Sequence, residues 1–264
     1  MIKINTSGIK YFLLAQKYAW KEFFAYRAQG IIWMFVGVYT ILFTYVPITI
    51  IYNISPGIPG WSYLEILLLS NTMLVVLGFT FYVISPWTIV EGMRTGELDK
   101  YLIRPYGKIN CMLSGYSGWL GEFSSIIPSI VVIAYILLSI HLSLLLIFLY
   151  VIAMGVGIAM FITLFLFLTL ISYRTLGSSN FSQIIMNISS MVGTYPISIY
   201  GIGIQLIFTI LIPIGFAVYY PIESLLGFVN PFFGILSIIA SIVLILLFRY
   251  AFNRLIKGYS SGGG

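Results

Sequence analysis

The residues that could carry nucleophilic, acid–base or metal chemistry are few in this chain and lie far apart. It contains one histidine, His141, and one cysteine, Cys111. A catalytic serine needs a base within hydrogen-bonding reach, and the small-residue stretch at 177–180 lacks the G-x-S-x-G pattern of such sites. The nucleotide-binding pattern G-x-x-x-x-G-K-[ST] is absent, and acidic, histidine and cysteine residues do not group at the spacing of metal ligands. We therefore expect no catalytic residue, no metal site and no bound cofactor, so that the chain is not itself an enzyme.

The densest group of charged residues lies at 91–105, and its pattern favours docking over catalysis. Gly96 permits a sharp turn, two acidic residues follow it where a helix would begin, and Pro105 would end that helix. Apolar side chains at the spacing i, i+3, i+4 would share one face. The sequence thus predicts a short amphipathic helix, which either connects two longer helices or docks on another protein. The residues assigned to this element are Glu91, Arg94, Gly96, Glu97, Leu98, Asp99, Tyr101, Leu102, Arg104 and Pro105.

The composition indicates the kind of scaffold that must hold these residues. Of 264 residues, 60% are hydrophobic and 8% are charged, whereas soluble domains are about 45–50% apolar. A helix that spans a membrane needs about 20 apolar residues. We therefore expect an all-α polytopic membrane protein with no room for a separate soluble catalytic domain.

The apolar runs predict six transmembrane helices. Residues 1–30 would form the segment before the first span, 85–121 the charge-rich connection after the second span, and 251–264 the C-terminal tail. The predicted spans are 31–51, 63–84, 122–140, 143–172, 201–220 and 231–248.

The basic residues predict the orientation of these spans. All 13 Lys and Arg residues fall in the N-terminal segment, in the second and fourth connections, or at the C-terminal end. Cytoplasmic segments of membrane proteins are enriched in Lys and Arg. The sequence therefore predicts that both termini are cytoplasmic.

Residues 9–27 show the pattern of an amphipathic helix. Aromatic and aliphatic residues group on one face, and a narrow strip of lysines lies beside them. Such a helix suits the headgroup region of a bilayer. It would serve either as a plain anchor or as a contact for a cytoplasmic partner. The residues assigned to it are Lys10, Lys17, Trp20 and Lys21.

The stretch at 175–200 contains no charge but many small polar side chains. Such groups line a wet path for a substrate, bond neighbouring helices to each other, or face lipid headgroups. The residues assigned to a possible path are Ser178, Ser179, Asn180, Gln183 and Asn187. No predicted span carries an ionisable residue near its middle, which disfavours a transporter that is driven by an ion gradient.

Four stretches of the chain carry a family resemblance. They are Pro59-Gly-Trp-Ser-Tyr-Leu-Glu-Ile, Gly96-Glu-Leu-Asp-Lys-Tyr-Leu-Ile-Arg-Pro105, Thr194-Tyr-Pro-Ile-Ser-Ile-Tyr200 with Thr209-Ile-Leu-Ile-Pro-Ile-Gly-Phe-Ala-Val-Tyr-Tyr-Pro221, and Lys257-Gly-Tyr-Ser-Ser-Gly. In this order they resemble ABC-2 type transporter permeases, most closely a subgroup of bacterial six-span permeases. The resemblance implies a type V exporter-like fold in the bacterial inner membrane.

The resemblance also implies partners and roles. Two permease subunits, identical or related, would join two ATPase subunits that bind ATP and magnesium, and the surroundings would be the lipid bilayer rather than nucleic acid. The helix at 96–105 would be the coupling helix that docks on the ATPase, and the N-terminal helix would lie beside it. The short connection at 221–230 implies that any re-entrant outer gate is small or absent. The predicted function is export powered by ATP; the alternative is a secondary transporter or channel.

Overall fold

The computed structural model describes residues 6–103, 108–115, 120–140, 142–174 and 180–259, and the regular structure within these ranges is helical. This confirms the predicted all-α fold. The helices are α1 (Thr6–Ala25), α2 (Arg27–Ile54), α3 (Tyr63–Val83), α4 (Pro86–Arg94), α5 (Asp99–Leu102), α6 (Lys108–Gly115), α7 (Phe123–Ser139), α8 (Leu144–Arg174), α9 (Asn180–Gly193), α10 (Ile202–Leu206), α11 (Tyr220–Leu226) and α12 (Phe232–Leu255).

Five helical segments of the described chain are long and apolar enough to cross a membrane. Each of them overlaps one predicted span, although the second continues through α4 to Arg94. Their bounds are Gly30–Ile54, Tyr63–Arg94, Leu120–Ser139, Leu144–Arg174 and Phe232–Gly258. The chain is therefore a polytopic helical membrane protein.

The predicted span at 201–220 is not a single straight helix. The structure divides this region into Ile202–Leu211 and Gly215–Leu226, which meet at an angle of 81°. Pro213 lies in the break, where its missing N–H and its ring disfavour continuation of a helix. The turns beside the break, Ile207–Leu211 and Gly215–Tyr219, are wound as π-helix. The predicted span at 201–220 is therefore broken at Pro213, a residue type at which helices start, kink or stop.

One end of the bundle carries the described basic residues, and we call it the basic end. Arg174, in the last turn of α8, donates a hydrogen bond to the carbonyl oxygen of Leu255 at the end of α12 (2.9 Å). The rings of Tyr82 in α3 and Phe123 in α7 lie 4.9 Å apart. The described Lys and Arg residues all belong to helices or helix ends that meet here. Within the described residues, the predicted grouping of basic charge on one side is therefore present.

The opposite end is held by aromatic rings. Trp61, just before α3, packs against Tyr219 (centroids 5.8 Å apart) and Phe228 (5.1 Å). Ser224 of α11 donates to the carbonyl oxygen of Pro231 before α12 (3.3 Å). The described chain at this end carries no Lys or Arg.

Contacts of α9 show that it runs from the basic end into the bundle. Near its start, the hydroxyl oxygens of Ser182 and Ser172 lie 3.3 Å apart. At its end, Gly193 packs so closely on Met73 of α3 that a side chain there would collide with it. The chain then reaches Ser198, which interacts with Tyr219 near the opposite end. We infer from these contacts that α9 with its extension occupies the place in the bundle where the sequence predicts the span at 201–220.

The first arm of the broken pair, Ile202–Leu211, runs away from the opposite end, and the second arm, Gly215–Leu226, runs back toward it. Its tip, Ile210 to Ile212, lies beside Leu168 of α8 and Leu247 of α12 in one apolar cavity. From there the second arm passes Gly157, which contacts Ala217, and reaches Ser224 beside Gly234. We infer that this bent pair, Ile202–Leu226, is a re-entrant hairpin and not a broken span. The expectation that a re-entrant outer gate is small or absent was based on the loop after residue 220 alone, so it did not consider this pair.

Candidate functional site

The segment between α4 and α5 turns sharply at Gly96. Gly96 has a φ of +77°, the left-handed conformation that glycine adopts readily. The N–H of Leu98 donates to the carbonyl oxygen of Gly92 (2.9 Å), which closes the turn. The predicted turn is therefore present. The helix that follows is short, Asp99–Leu102, so Glu97 lies in the turn and not in the first helical turn as we had expected.

Helix α5 has one buried side and one exposed side. Leu98 is completely buried, and Tyr101 and Leu102 are half-buried. Glu97 and Lys100 are exposed and form an ion pair (3.1 Å); the hydrogen bond with Glu97 raises the pKa of Lys100. Exposed ion pairs contribute little to stability. The pair instead places charges of both signs on the exposed side of α5, whose other side is anchored in the core by Leu98.

The structure describes the first residues of the predicted element at 91–105, but not its last two. Glu91 and Arg94 form a second exposed ion pair at the end of α4 (3.8 Å). Arg104 and Pro105, which were predicted to end the helix, lie outside the described residues.

Two helices that we had read as part of a connection support α5. In α4, Ile89, Val90 and Met93 are completely buried, and this helix packs on α8 and α9. In α6, Gly115 lies directly against the ring of Tyr101, where a side chain would have no room. Helix α6 in turn packs on α1. Helices α1, α4, α5 and α6 thus pack together, and we call them the α5 platform. The site is not a free loop.

Tyr259, after the end of α12, joins this platform to the rest of the bundle. Its hydroxyl donates to the carbonyl oxygen of Met93 (3.3 Å) and also interacts with the carboxylate of Asp99. Its ring lies 5.4 Å from that of Tyr173 in the last turn of α8. Burial, together with the nearby Asp99, raises the pKa of Tyr259, so its hydroxyl keeps the proton that it donates. We call these contacts the Tyr259 clamp.

Tyr259 has no role that its sequence pattern predicts. The signal was available, because 257–262 was one of the stretches that carried the family resemblance. What the sequence lacks is any indication that this residue returns to α4 and α5, more than 150 positions earlier; its partner Met93 is 166 positions away.

Helix α1 presents its predicted lysines on the surface. Lys10, Lys17 and Lys21 are exposed, and Lys21 lies over the ring of Tyr18 (5.6 Å). Trp20 is half-buried and packs on Phe123 of α7, with centroids 5.3 Å apart. The apolar face is therefore only partly covered by the bundle.

Helix α9 carries a continuous line of polar side chains, which we call the polar stripe: Gln183, Asn187, Ser190 and Thr194. The spacing of four, three and four residues places them on one face. The amide of Gln183 donates to that of Asn187 (3.4 Å), and the hydroxyls of Ser190 and Thr194 donate to carbonyl oxygens of the same helix. Asn187 is exposed and the other three are half-buried. The stripe thus faces away from the chain's own core.

The predicted path residues are only partly described. Gln183 and Asn187 are brought together in the stripe, which Ser190 and Thr194 extend. Asn180 begins α9, but its side chain is not described, and Ser178 and Ser179 lie outside the described residues. The amides and hydroxyls of the stripe can donate and accept hydrogen bonds. Among the described residues, no group of three or more His, Cys, Asp or Glu could hold a metal ion.

A bundle of apolar helices, with polar groups on one crossing helix and charged helices at one end, defines a polytopic integral membrane protein. The chain belongs to the ABC-2 family of transporters: the model of the ABC-2 family transporter proteins matches residues 38–263. No curated protein and no solved structure shows significant similarity to it. The family match confirms the resemblance that the four sequence stretches indicate.

Proposed function

We propose that this chain is the permease subunit of an ATP-driven ABC exporter. The observation that supports the proposal best is the α5 platform, where an exposed, charged helix is anchored in the core by Leu98. Such an element is suited to receive a push from a partner protein. ATP and magnesium would bind to the partner, since this chain has no P-loop sequence.

The contacts of α5 suggest how such a push would spread. Through the Gly96 turn it would move α4, which continues α3. Through the Tyr259 clamp it would move the ends of α8 and α12, because Tyr173 and Arg174 bind the same C-terminal segment. Interlocked helices rearrange between discrete packings and do not deform continuously. A movement at α5 would therefore shift three crossing helices together.

The polar stripe of α9 suggests where cargo passes. Amide groups that face hydrocarbon are costly unless they find partners or water. We propose that the stripe lines a water-filled path that closes when a second permease subunit, identical or related, packs against this one. Gln183 and Asn187 would bind the cargo by hydrogen bonds.

The orientation follows from the basic end. Lys and Arg residues are retained on the cytoplasmic side of bacterial plasma membranes. We propose that both termini and α5 are cytoplasmic and that α1 lies at the inner headgroup layer, where its lysines meet anionic lipids. The re-entrant hairpin would then face the exterior.

The partner can be tested by affinity purification of the full-length chain from its native membranes. We expect a P-loop ATPase to co-purify and to hydrolyse ATP in the complex. Glu97→Arg should reduce the retained ATPase at least about fivefold, as expected when about 1 kcal/mol of contact is lost. Glu22→Arg makes the same charge change at an exposed position of α1 that is not assigned to the docking element, and it is the matched control.

Two outcomes would overturn the proposal. One is a chain that purifies without an ATPase and drives flux from an ion gradient alone. The other is equal loss of the ATPase in the Glu97 and Glu22 variants, which would show that α5 is not the contact.

A further inference from the structure

The basic end contains a second polar feature, which lies apart from α5. A cavity of about 360 Å³ opens between α6, α8 and α12. Its polar lining includes Lys108 and Asn110 of α6, Thr163 of α8, and Arg249 and Asn253 of α12, and no described lining residue is acidic. A concave surface that carries charge of one sign concentrates ions of the opposite sign. The cavity is therefore suited to an anion.

The two basic side chains of this cavity form no ion pair within the described structure. The ion pairs among the described residues are Arg94 with Glu91 and Lys100 with Glu97. Several other basic side chains of this end have partners; Arg254, for example, donates to the hydroxyl of Tyr250. Lys108 and Arg249 are exposed and have no carboxylate partner in the described ranges. Ammonium and guanidinium groups that face one cavity are typical ligands of a phosphate group.

The face of α12 that leads to the cavity changes character along its length. Ile242 and Leu246 are 45% and 60% exposed, and Arg249 and Asn253 follow on the same face at the helical spacing of three and four residues. The face thus runs from apolar to cationic toward the basic end. A phospholipid has the same order, from acyl chain to phosphate headgroup.

We propose that this cavity binds the phosphate headgroup of an anionic membrane lipid. Lys108 and Arg249 contact the phosphate, Asn253 donates a further hydrogen bond, and an acyl chain lies along Ile242 and Leu246. The site does not depend on ATP or on a partner subunit. The lipid site can therefore be confirmed or overturned independently of the proposed exporter function.

The test is a titration of the purified full-length chain with phosphatidylglycerol, followed by native mass spectrometry. The double variant Lys108→Gln with Arg249→Gln should weaken binding of one lipid about thirtyfold, since each basic residue at a membrane surface contributes roughly a fivefold factor. The control is Arg254→Gln with Lys257→Gln, which removes the same charge at the same end but outside the cavity lining. Circular dichroism establishes that both variants are folded. Equal binding by the two double variants would overturn the proposal.

A second arm identifies the source of the phosphate. Inorganic phosphate at millimolar concentration should not displace phosphatidylglycerol, because it lacks the acyl chain. Displacement would show a site for a soluble anion, and the lipid assignment would fail. Zwitterionic phosphatidylcholine should bind to the wild type more weakly than phosphatidylglycerol does. The cavity variant should bind the two lipids with equally low affinity.

Discussion

The two ends of the bundle differ in the contacts that join segments far apart in the sequence. At the basic end, directional hydrogen bonds join distant segments, as in the Tyr259 clamp and the bond from Arg174 to Leu255. At the opposite end, rings of Trp61, Tyr219 and Phe228 pack around a broken helix. Hydrogen bonds are more directional than ring contacts, which are satisfied in offset-stacked and edge-to-face arrangements. In the proposed mechanism we therefore expect the basic end to transmit movement and the opposite end to accommodate it.

The largest effect is expected from Trp61→Ala at the opposite end. Trp61 is 8% exposed, and truncation of a buried tryptophan lowers the free energy of unfolding by about 3–5 kcal/mol. Thermal unfolding in detergent measures the loss. Phe43→Ala, at a ring that is 69% exposed on α2, is the control and should have little effect. Similar losses in both variants would show that the rings around Trp61 are not what holds this end.

A slightly smaller effect is expected at the basic end from Leu98→Ala. This side chain is completely buried below α5, so the cavity left behind should cost about 2–4 kcal/mol. Hydrogen exchange should show faster opening of 98–103. Ile103→Ala is the control, because it truncates a similar aliphatic side chain at a position that is 83% exposed and so leaves no cavity. Unchanged exchange in Leu98→Ala would contradict the anchoring of α5.

The polar stripe is expected to show a difference of at least about tenfold in water accessibility, which corresponds to roughly 1.4 kcal/mol. Cysteine at position 187, in a chain with Cys111→Ser, should react faster with a membrane-impermeant maleimide than cysteine at position 181. The reason is that thiolates form in water and not in hydrocarbon, and Phe181 is exposed on the side of α9 away from the stripe, at an apolar cavity. Equal rates in vesicles would mean that the stripe does not line a water-filled path.

The smallest effect is expected from Tyr259→Phe, which keeps the ring against Tyr173 and removes the hydroxyl. One hydrogen bond is worth about 1 kcal/mol, so protection of the α5 amides should fall about fivefold. Tyr250→Phe removes a hydroxyl that bonds only within its own helix, and it should leave α5 unchanged. Should the two variants behave alike, the clamp would not distinguish the basic end.

Much of the fold could be predicted from local pattern. Long apolar runs identify the crossing helices, and the turn at Gly96 needs only the glycine and its neighbours. The amphipathic character of α5 was equally local, since it depends on the spacing of Leu98, Tyr101 and Leu102.

What the sequence did not reveal depends on long-range packing. Helix α9 is too short and too polar to be recognised as a crossing helix, and its place is shown only by contacts such as Gly193 on Met73. The apolar stretch after residue 201 matched a span in composition, although Pro213 divides it. The Tyr259 clamp joins residues that hydrophobic periodicity cannot relate. Composition therefore predicted how much chain lies in the membrane, but not the order in which the segments cross it.

The π-helical turns beside Pro213 have a consequence for the length of the chain. The N–H of Ile212 bonds to the carbonyl oxygen of Ile207, five residues earlier (3.0 Å). A π-turn encloses one residue more than an α-turn. Each arm of the re-entrant hairpin therefore contains one residue more in its π-turn than an α-turn would, and a change to α-helix would release that residue at the break. We therefore expect the tip of the hairpin to be able to move while both of its ends stay fixed.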